Sequence, residues 1–192
     1  MLRSAVLLAA AVLALPVAAA AGQEPVAPGL SREQPISVAG ETISLTEIRF
    51  WARAAAEGGR PGRPELLQAA SFLISTRWVH REARTRRVRV TGGQVGRELL
   101  SQIHDSFPSW REFHAFLRES GQTFAHIRLR VRSDMESARL RELAIGDATD
   151  PQEQIERRGA YAEEFSARWR AQTVCTPRFV VLADSCGNAP VE

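Results

Sequence analysis

Two cysteines are the residues of this chain best suited to covalent chemistry. Cys175 and Cys186 are the only cysteines, and both lie near the end of the sequence. Their spacing is much longer than the C-x-x-C of a redox-active pair, and an even cysteine count favours a disulfide over a metal site in an oxidising compartment. We therefore predict a Cys175–Cys186 bond, which would stabilise the fold by ~3 kcal/mol by restricting the unfolded chain.

Histidines are the next candidates, for metal binding or for acid–base catalysis. They are His80, His104, His114 and His126, and they fall on separate predicted helices. None forms H-E-x-x-H or another metal-ligand spacing, and a structural role explains each of them. No G-x-S-x-G, P-loop or paired-carboxylate pattern is present, although catalytic triads also assemble from residues distant in sequence. We expect no enzymatic activity, no metal and no cofactor.

A group of large apolar side chains in the middle of the chain is the remaining candidate site. It comprises Phe107, Trp110, Phe113, Phe116, Phe124 and Met135. In one interpretation these side chains are core, and they hold short helices against a longer one. In the other, some of them line an apolar groove for polypeptide segments, because aromatic and methionine side chains give large, adaptable contact areas. The residues alone leave both interpretations open.

The basic residues are all arginine, 25 of them against 22 acidic residues. They are spread along the chain and interleaved with glutamate, so we expect no nucleic-acid partner. One segment has a local excess of arginine around a single acidic residue, Glu82. Its members are Arg77, Arg81, Arg84, Arg86, Arg87 and Arg89. This excess is either the solvated end of a helix or a patch for acidic partners.

Residues 1–21 have the pattern of a secretory signal peptide. Arg3 precedes an apolar run over residues 5–15, and a proline and small residues suited to cleavage follow. The run is shorter than the ~20 residues that a membrane-spanning helix needs. We expect cleavage at Ala19 or Ala21, an extracytoplasmic location and no stable membrane anchor. Residues 22–35 are interpreted as a flexible tether.

Residues 36–188 form the predicted folded domain, which we expect to be mostly α-helical. An alternating stretch around Gly40 predicts a minor β-hairpin. Capping residues followed by apolar positions at helical spacing then predict about six helices. The caps are Ser44, Thr91, Ser109, Thr123 and Asp150. The disulfide closes the C-terminal segment, in which residues 179–182 are predicted to form a short strand.

Helical spacing also places particular side chains. Trp78 falls near the apolar stripe of the longest predicted helix, so we expect it in the core. In the following helix, Val95, Leu99, Leu100 and Ile103 are expected to face the core together.

Several short motifs, in this order along the chain, resemble the N-terminal chaperone domain of the SurA/PrsA-type foldases. They are Val38-Ala39-Gly40-Glu41, Leu73-Ile74 through Glu82-Ala83, Val90-Thr91 through Val95, and Phe107 through Thr123. Ala39 stands where the family usually has asparagine. The stretch from Trp169 to Cys186 is similar to the tail of exported members. The resemblance covers residues 36–143, the core module, and residues 165–188, a C-terminal helix and the cysteine loop.

Full-length members of that family carry a parvulin isomerase domain between the helices that match those around Leu143 and Phe165. Residues 144–164 are too few for a separate domain, so we interpret them as a linker and a helix start. Ala125-His126-Ile127 superficially resembles a parvulin strand, but His126 falls in the first turn of a predicted helix. The family's isomerase residues are therefore not carried over.

The resemblance implies an exported, ATP-independent chaperone or foldase-like protein that binds unfolded or newly secreted polypeptides. A second hypothesis is an envelope adaptor or structural module that docks one specific protein partner. A third is a peptidyl-prolyl cis–trans isomerase. Broad, weak binding to many unfolded clients distinguishes a chaperone from an adaptor, which forms one tight complex.

Overall fold

The computed structural model describes residues 30–57 and 59–189. The predicted signal peptide and residues 22–29 of the tether lie outside this part of the chain. Within it, the chain forms six helices and one small antiparallel sheet, which confirms the mostly α-helical fold with a minor hairpin. None of these helices is long and apolar enough to cross a membrane.

The elements follow one another with short connections. In chain order they are β1 (Ile36–Val38), β2 (Glu41–Ile43), α1 (Leu45–Ala55), α2 (Arg63–Thr85), α3 (Gly92–Ser106), α4 (Trp110–Glu119), α5 (Phe124–Ile145), α6 (Pro151–Ala171) and β3 (Thr173–Cys175). All five predicted capping residues accept a backbone N–H in the first turn of their helix. Local hydrogen bonding therefore fixes where five of the six helices begin.

The hairpin joins β1 to β2 through a two-residue turn. Ile36 lies opposite Ile43 and Val38 opposite Glu41, and the turn residues Ala39 and Gly40 have φ of 47° and 82°. Positive φ at both positions is typical of the turns that match the twist of a hairpin, where Asn-Gly is favoured. Alanine is strained at the first of them because of its Cβ.

A third strand completes the sheet, but it is not the predicted one. β3 pairs antiparallel with the free edge of β1, so the strand order is β2-β1-β3. The prediction of a strand at residues 179–182 is wrong: the N–H of Val180 bonds the carbonyl of Thr176, as in a helical turn. The turn carries Phe179 inward, where it is almost fully buried against the core.

The predicted disulfide is present and anchors this segment. The Cα atoms of Cys175 and Cys186 lie 5.8 Å apart, within the normal range for a disulfide, and both residues are buried. The side chain of Asn188 accepts from the N–H of Cys175 at 2.9 Å and donates to its carbonyl at 2.8 Å. A structural disulfide indicates an oxidising, extracytoplasmic environment.

Two apolar clusters build the interior. The larger lies between the sheet, α1, α2, the end of α6 and the cysteine loop. Trp78 is buried there, as predicted, and its Nε1 donates to Oγ1 of Thr173 at 2.8 Å. The smaller cluster is formed by α3, α4 and the first half of α5.

A buried carboxylate attaches α6 to α2. Glu82 is fully buried and accepts hydrogen bonds from Trp169 Nε1 at 3.0 Å, Arg86 Nε at 2.9 Å and Arg168 Nη1 at 3.1 Å. Burial removes the two carboxylate oxygens of Glu82 from water. Hydrogen bonds from three donors replace that hydration and offset the cost of burying the charge.

The predicted linker is mostly helix. α5 continues to Ile145, and residues 146–150 alone connect it to α6, whose first residue is Pro151. Asp150 caps that helix and Gly146 has φ of 62°. Residues 144–164 therefore join two helices of one body, with no further folded unit between them.

Candidate binding cleft

The end of α3 and the start of α4 bring the candidate aromatic residues together. α3 stops at Ser106, and Pro108 and Ser109 turn the chain into α4. Oγ of Ser109 accepts the N–H of Glu112 at 3.3 Å. This cap fixes the first turn of α4 and so places Trp110, its first residue, beside the end of α3.

Phe113 is the centre of the aromatic cluster. Its ring centroid lies 5.2 Å from that of Phe107, 5.8 Å from that of Trp110 and 5.3 Å from that of Phe124. Phe107 also lies 5.3 Å from Phe116. These separations and the tilted or edge-on ring planes are those of favourable aromatic pairs. The sequence-predicted set is thus one contiguous cluster.

The six predicted residues divide between interior and surface. Phe113 is buried, and Phe107, Phe116 and Met135 are half-buried against the smaller apolar cluster. Trp110 and Phe124 instead keep 50% and 42% of their surface exposed. The core interpretation therefore describes Phe113 and its half-buried neighbours, while Trp110 and Phe124 retain surface that a ligand can contact.

Trp110 forms one wall of an open cleft of about 460 Å³ between α3 and α4. The other lining residues are Leu100, Ser101, Ile103, His104, Phe107, Pro108 and Ser109. No carboxylate or guanidinium group lines it. The cleft can hold one or two apolar side chains of a partner, with hydroxyl and imidazole groups at its edge.

Leu100 was expected to face the core, and that prediction is wrong. It is 54% exposed and, like Trp110, lines the cleft. The buried positions of α3 are Val95, Leu99 and Ile103, which are spaced four residues apart and form one narrow stripe. Leu100 lies ~100° around the helix from Leu99, so it falls outside that stripe. Two adjacent residues of a helix cannot both lie on one narrow stripe. The Leu99-Leu100 pair therefore indicated that one of the two leucines would be exposed.

His126 is a buried capping residue at the start of α5. Its Nδ1 accepts the N–H of Thr123 at 3.0 Å and its Nε2 donates to the carbonyl of Phe50 at 3.3 Å. The ring stacks on Phe50 at 4.1 Å. Burial lowers the pKa of His126 below its ordinary 6.5, and the nearby charges of Arg130 and Arg53 lower it further. The neutral ring satisfies both bonds.

The remaining histidines lie apart from one another. Nδ1 of His80 lies 3.2 Å from the buried carboxylate of Glu136, whereas His104 and His114 are exposed on α3 and α4. Across residues 30–57 and 59–189, no three histidine, cysteine or acidic side chains are grouped as a metal site.

Four of the six arginines in the local excess, Arg77, Arg81, Arg84 and Arg86, lie within 4.0 Å of a carboxylate. Arg77 and Arg81 lie 3.3 and 3.2 Å from Glu41, Arg77 also lies 3.1 Å from Glu47, and Arg86 binds Glu82. Glu41 and Glu47 belong to the hairpin and α1, so the sequence alone did not predict these pairs. These ion pairs favour the interpretation of this segment as a solvated helix end over that of a patch for acidic partners.

Comparison with known proteins identifies no relative of this chain. No protein-family model, no curated protein and no solved structure matches this chain.

Proposed function

We propose that this chain is an exported, ATP-independent chaperone that holds unfolded polypeptide segments in the α3–α4 cleft. The observation that carries the proposal is the pair Leu100 and Trp110. These two large apolar side chains stay half-exposed and line the same cleft. Single exposed apolar residues are common, but apolar surface gathered in a cleft is typical of a binding site.

The cleft suits weak and broad recognition. Full burial of a leucine- or phenylalanine-sized side chain contributes ~1.5–3 kcal/mol, and ordering the partner offsets part of that gain. One or two such side chains therefore give reversible binding. The lining carries few polar groups, so it imposes little demand on the sequence of a client.

The motif order supports a relationship to the N-terminal chaperone domain of SurA/PrsA-type foldases. The motifs that carry the resemblance form the Ala39-Gly40 turn, the α4–α5 pair and the disulfide-closed tail of this chain. The family's isomerase domain has no counterpart between α5 and α6, because residues 146–150 join them directly. We therefore propose a binding protein without peptidyl-prolyl isomerase activity.

Suppression of aggregation tests the proposal. The mature chain, without ATP, is expected to reduce light scattering by a denatured client diluted into buffer. Leu100→Ser with Trp110→Ser is expected to remove most of this effect. The matched control is Ile155→Ser with Val181→Ser, because these side chains are 57% and 55% exposed elsewhere on the surface. The control is expected to behave as wild type.

Two results would contradict the proposal. Equal loss of suppression in both double variants would show that general surface hydrophobicity, rather than the cleft, is responsible. No suppression, together with one tight stoichiometric complex isolated from the envelope, would favour the adaptor. An X-Pro peptide assay separately tests for isomerase activity, and we expect the uncatalysed rate.

A further inference from the structure

Two arginines lie outside the α3–α4 cleft, at the N-terminal end of α3. Nη1 of Arg97 lies 3.7 Å from the position that a Cβ on Gly93 would occupy, and Nη2 of Arg128 lies 3.4 Å from the equivalent position at Gly92. Both guanidinium groups therefore lie at the first turn of α3. Both arginines are exposed.

The described part of the chain supplies no carboxylate to these two guanidinium groups. Neither arginine belongs to an ion pair there. The first turn of α3 carries no acidic residue. Further along α3, Glu98 accepts from Gln102 at 2.9 Å, and Asp105 lies 3.5 Å from Ser101 and 3.5 Å from His104. The positive charge at the first turn of α3 is therefore available to a partner.

The geometry of α3 sets the distance between this charge and the apolar contact. Gly93, Arg97 and Leu100 are spaced four and three residues apart and so share one side of the helix. The rise from Gly92 to Leu100 is ~12 Å, which an extended polypeptide covers with about four residues.

We propose that the cleft selects segments in which an apolar or aromatic anchor stands about four residues from a pair of acidic side chains. The anchor packs between Leu100 and Trp110, while the carboxylates pair with Arg97 and Arg128. Arginine pairs with carboxylates through charge-assisted hydrogen bonds, which makes an acidic client segment the complementary partner. This inference rests on the proposed function of the cleft and adds the charge pattern of the client.

Three labelled peptides test the inference with the full mature chain. Each carries the same Trp-Leu anchor, followed after a short spacer by two glutamates, two glutamines or two lysines. Fluorescence anisotropy is expected to give the order of affinity glutamate, glutamine, lysine. At low ionic strength the glutamate peptide is expected to bind about three- to tenfold tighter than the glutamine peptide. The difference is expected to disappear near ~0.5 M NaCl because salt screens exposed charges.

Matched variants test whether Arg97 and Arg128 cause the preference for the glutamate peptide. Arg97→Gln with Arg128→Gln is expected to equalise the glutamate and glutamine peptides without weakening the glutamine peptide. Arg97→Lys with Arg128→Lys keeps the charge and is expected to retain most of the preference. The control pair, Arg60→Gln with Arg141→Gln, removes two exposed arginines outside the described ion pairs and is expected to retain all of it.

The outcomes separate this inference from the proposed function. Equal affinity of wild type for the three peptides would overturn the charge preference and leave the apolar cleft in place. Failure of every anchored peptide to bind would overturn the proposed function itself. Anionic phospholipid vesicles serve as a second probe. If Arg97→Gln with Arg128→Gln reduces vesicle binding and leaves the preference for the glutamate peptide unchanged, the two arginines bind a membrane surface. That result would also overturn the inference.

Discussion

The indole Nε1 of Trp169 donates a 3.0 Å hydrogen bond to Oε2 of Glu82 and so ties the last helix, α6, to α2. The same carboxylate accepts from Arg168, one residue earlier on α6. Both contacts join residues distant in sequence, and they lie beside the β3 strand and the cysteine loop. A single buried acid thus accepts hydrogen bonds from two neighbouring residues of α6.

Glu82→Ala is expected to lower the free energy of unfolding by ~3 kcal/mol, because buried donors then lose their acceptor. Urea denaturation followed by circular dichroism measures this loss. Glu164→Ala is the control, since Glu164 also pairs with Arg168 but at the surface. That change is expected to cost below ~0.5 kcal/mol. A cost for Glu82→Ala below ~1 kcal/mol would show that the buried network contributes little.

Ala39→Asn is expected to stabilise the protein by ~0.5–1 kcal/mol, because asparagine tolerates the left-handed conformation that alanine resists. Ala39 has φ of 47° in the hairpin turn. The measurement is the shift of the urea midpoint relative to wild type. Ala160→Asn, on the exposed surface of helix α6, is the control and is expected to destabilise slightly. Equal destabilisation by both changes would contradict the assigned turn conformation.

Stability is expected to fall as the pH drops below about 6.5, in part because of His126. Burial holds its folded-state pKa below 6.5, so the unfolded chain takes up the proton first. As the pH falls from 6.5 to the folded-state pKa of His126, the free energy of unfolding therefore decreases. Below that pKa, His126 causes no further change in stability.

His126→Gln isolates this contribution. Glutamine can keep the cap on Thr123, as Gln94 does for Thr91 at 2.8 Å. The variant is expected to lose less stability than wild type between about pH 7 and pH 5. His104→Gln, at an exposed position of α3, controls for the general effect of a histidine-to-glutamine change. Identical pH profiles for wild type and His126→Gln would contradict the buried neutral histidine.

Signals local in sequence predicted most of the fold. Ser44, Thr91, Ser109, Thr123 and Asp150 each lie where a helix begins, because a cap acts on backbone groups within three residues. Trp78 was predicted from the apolar stripe of α2 and is buried.

Contacts between distant segments were not predictable in the same way. Two of the three partners of Glu82 come from α6, and those of Arg77 come from β2 and α1. The third strand formed at residues 173–175, rather than at residues 179–182, because an open edge of β1 was available to it. The aromatic set of the candidate site was predicted, but its division between core and cleft depends on how α4 lies across α3.

Site-specific photocrosslinking tests most directly the proposal that unfolded clients bind in the α3–α4 cleft. The mature chain carries p-benzoylphenylalanine in place of Leu100, in the cleft, or in place of Ile155, which is equally exposed on α6. Each is irradiated with a client in its unfolded and in its native form. If clients bind in the cleft, we expect an adduct at position 100 with the unfolded client alone, and little labelling at position 155. Equal labelling at the two positions, or equal labelling of the native client, would contradict it.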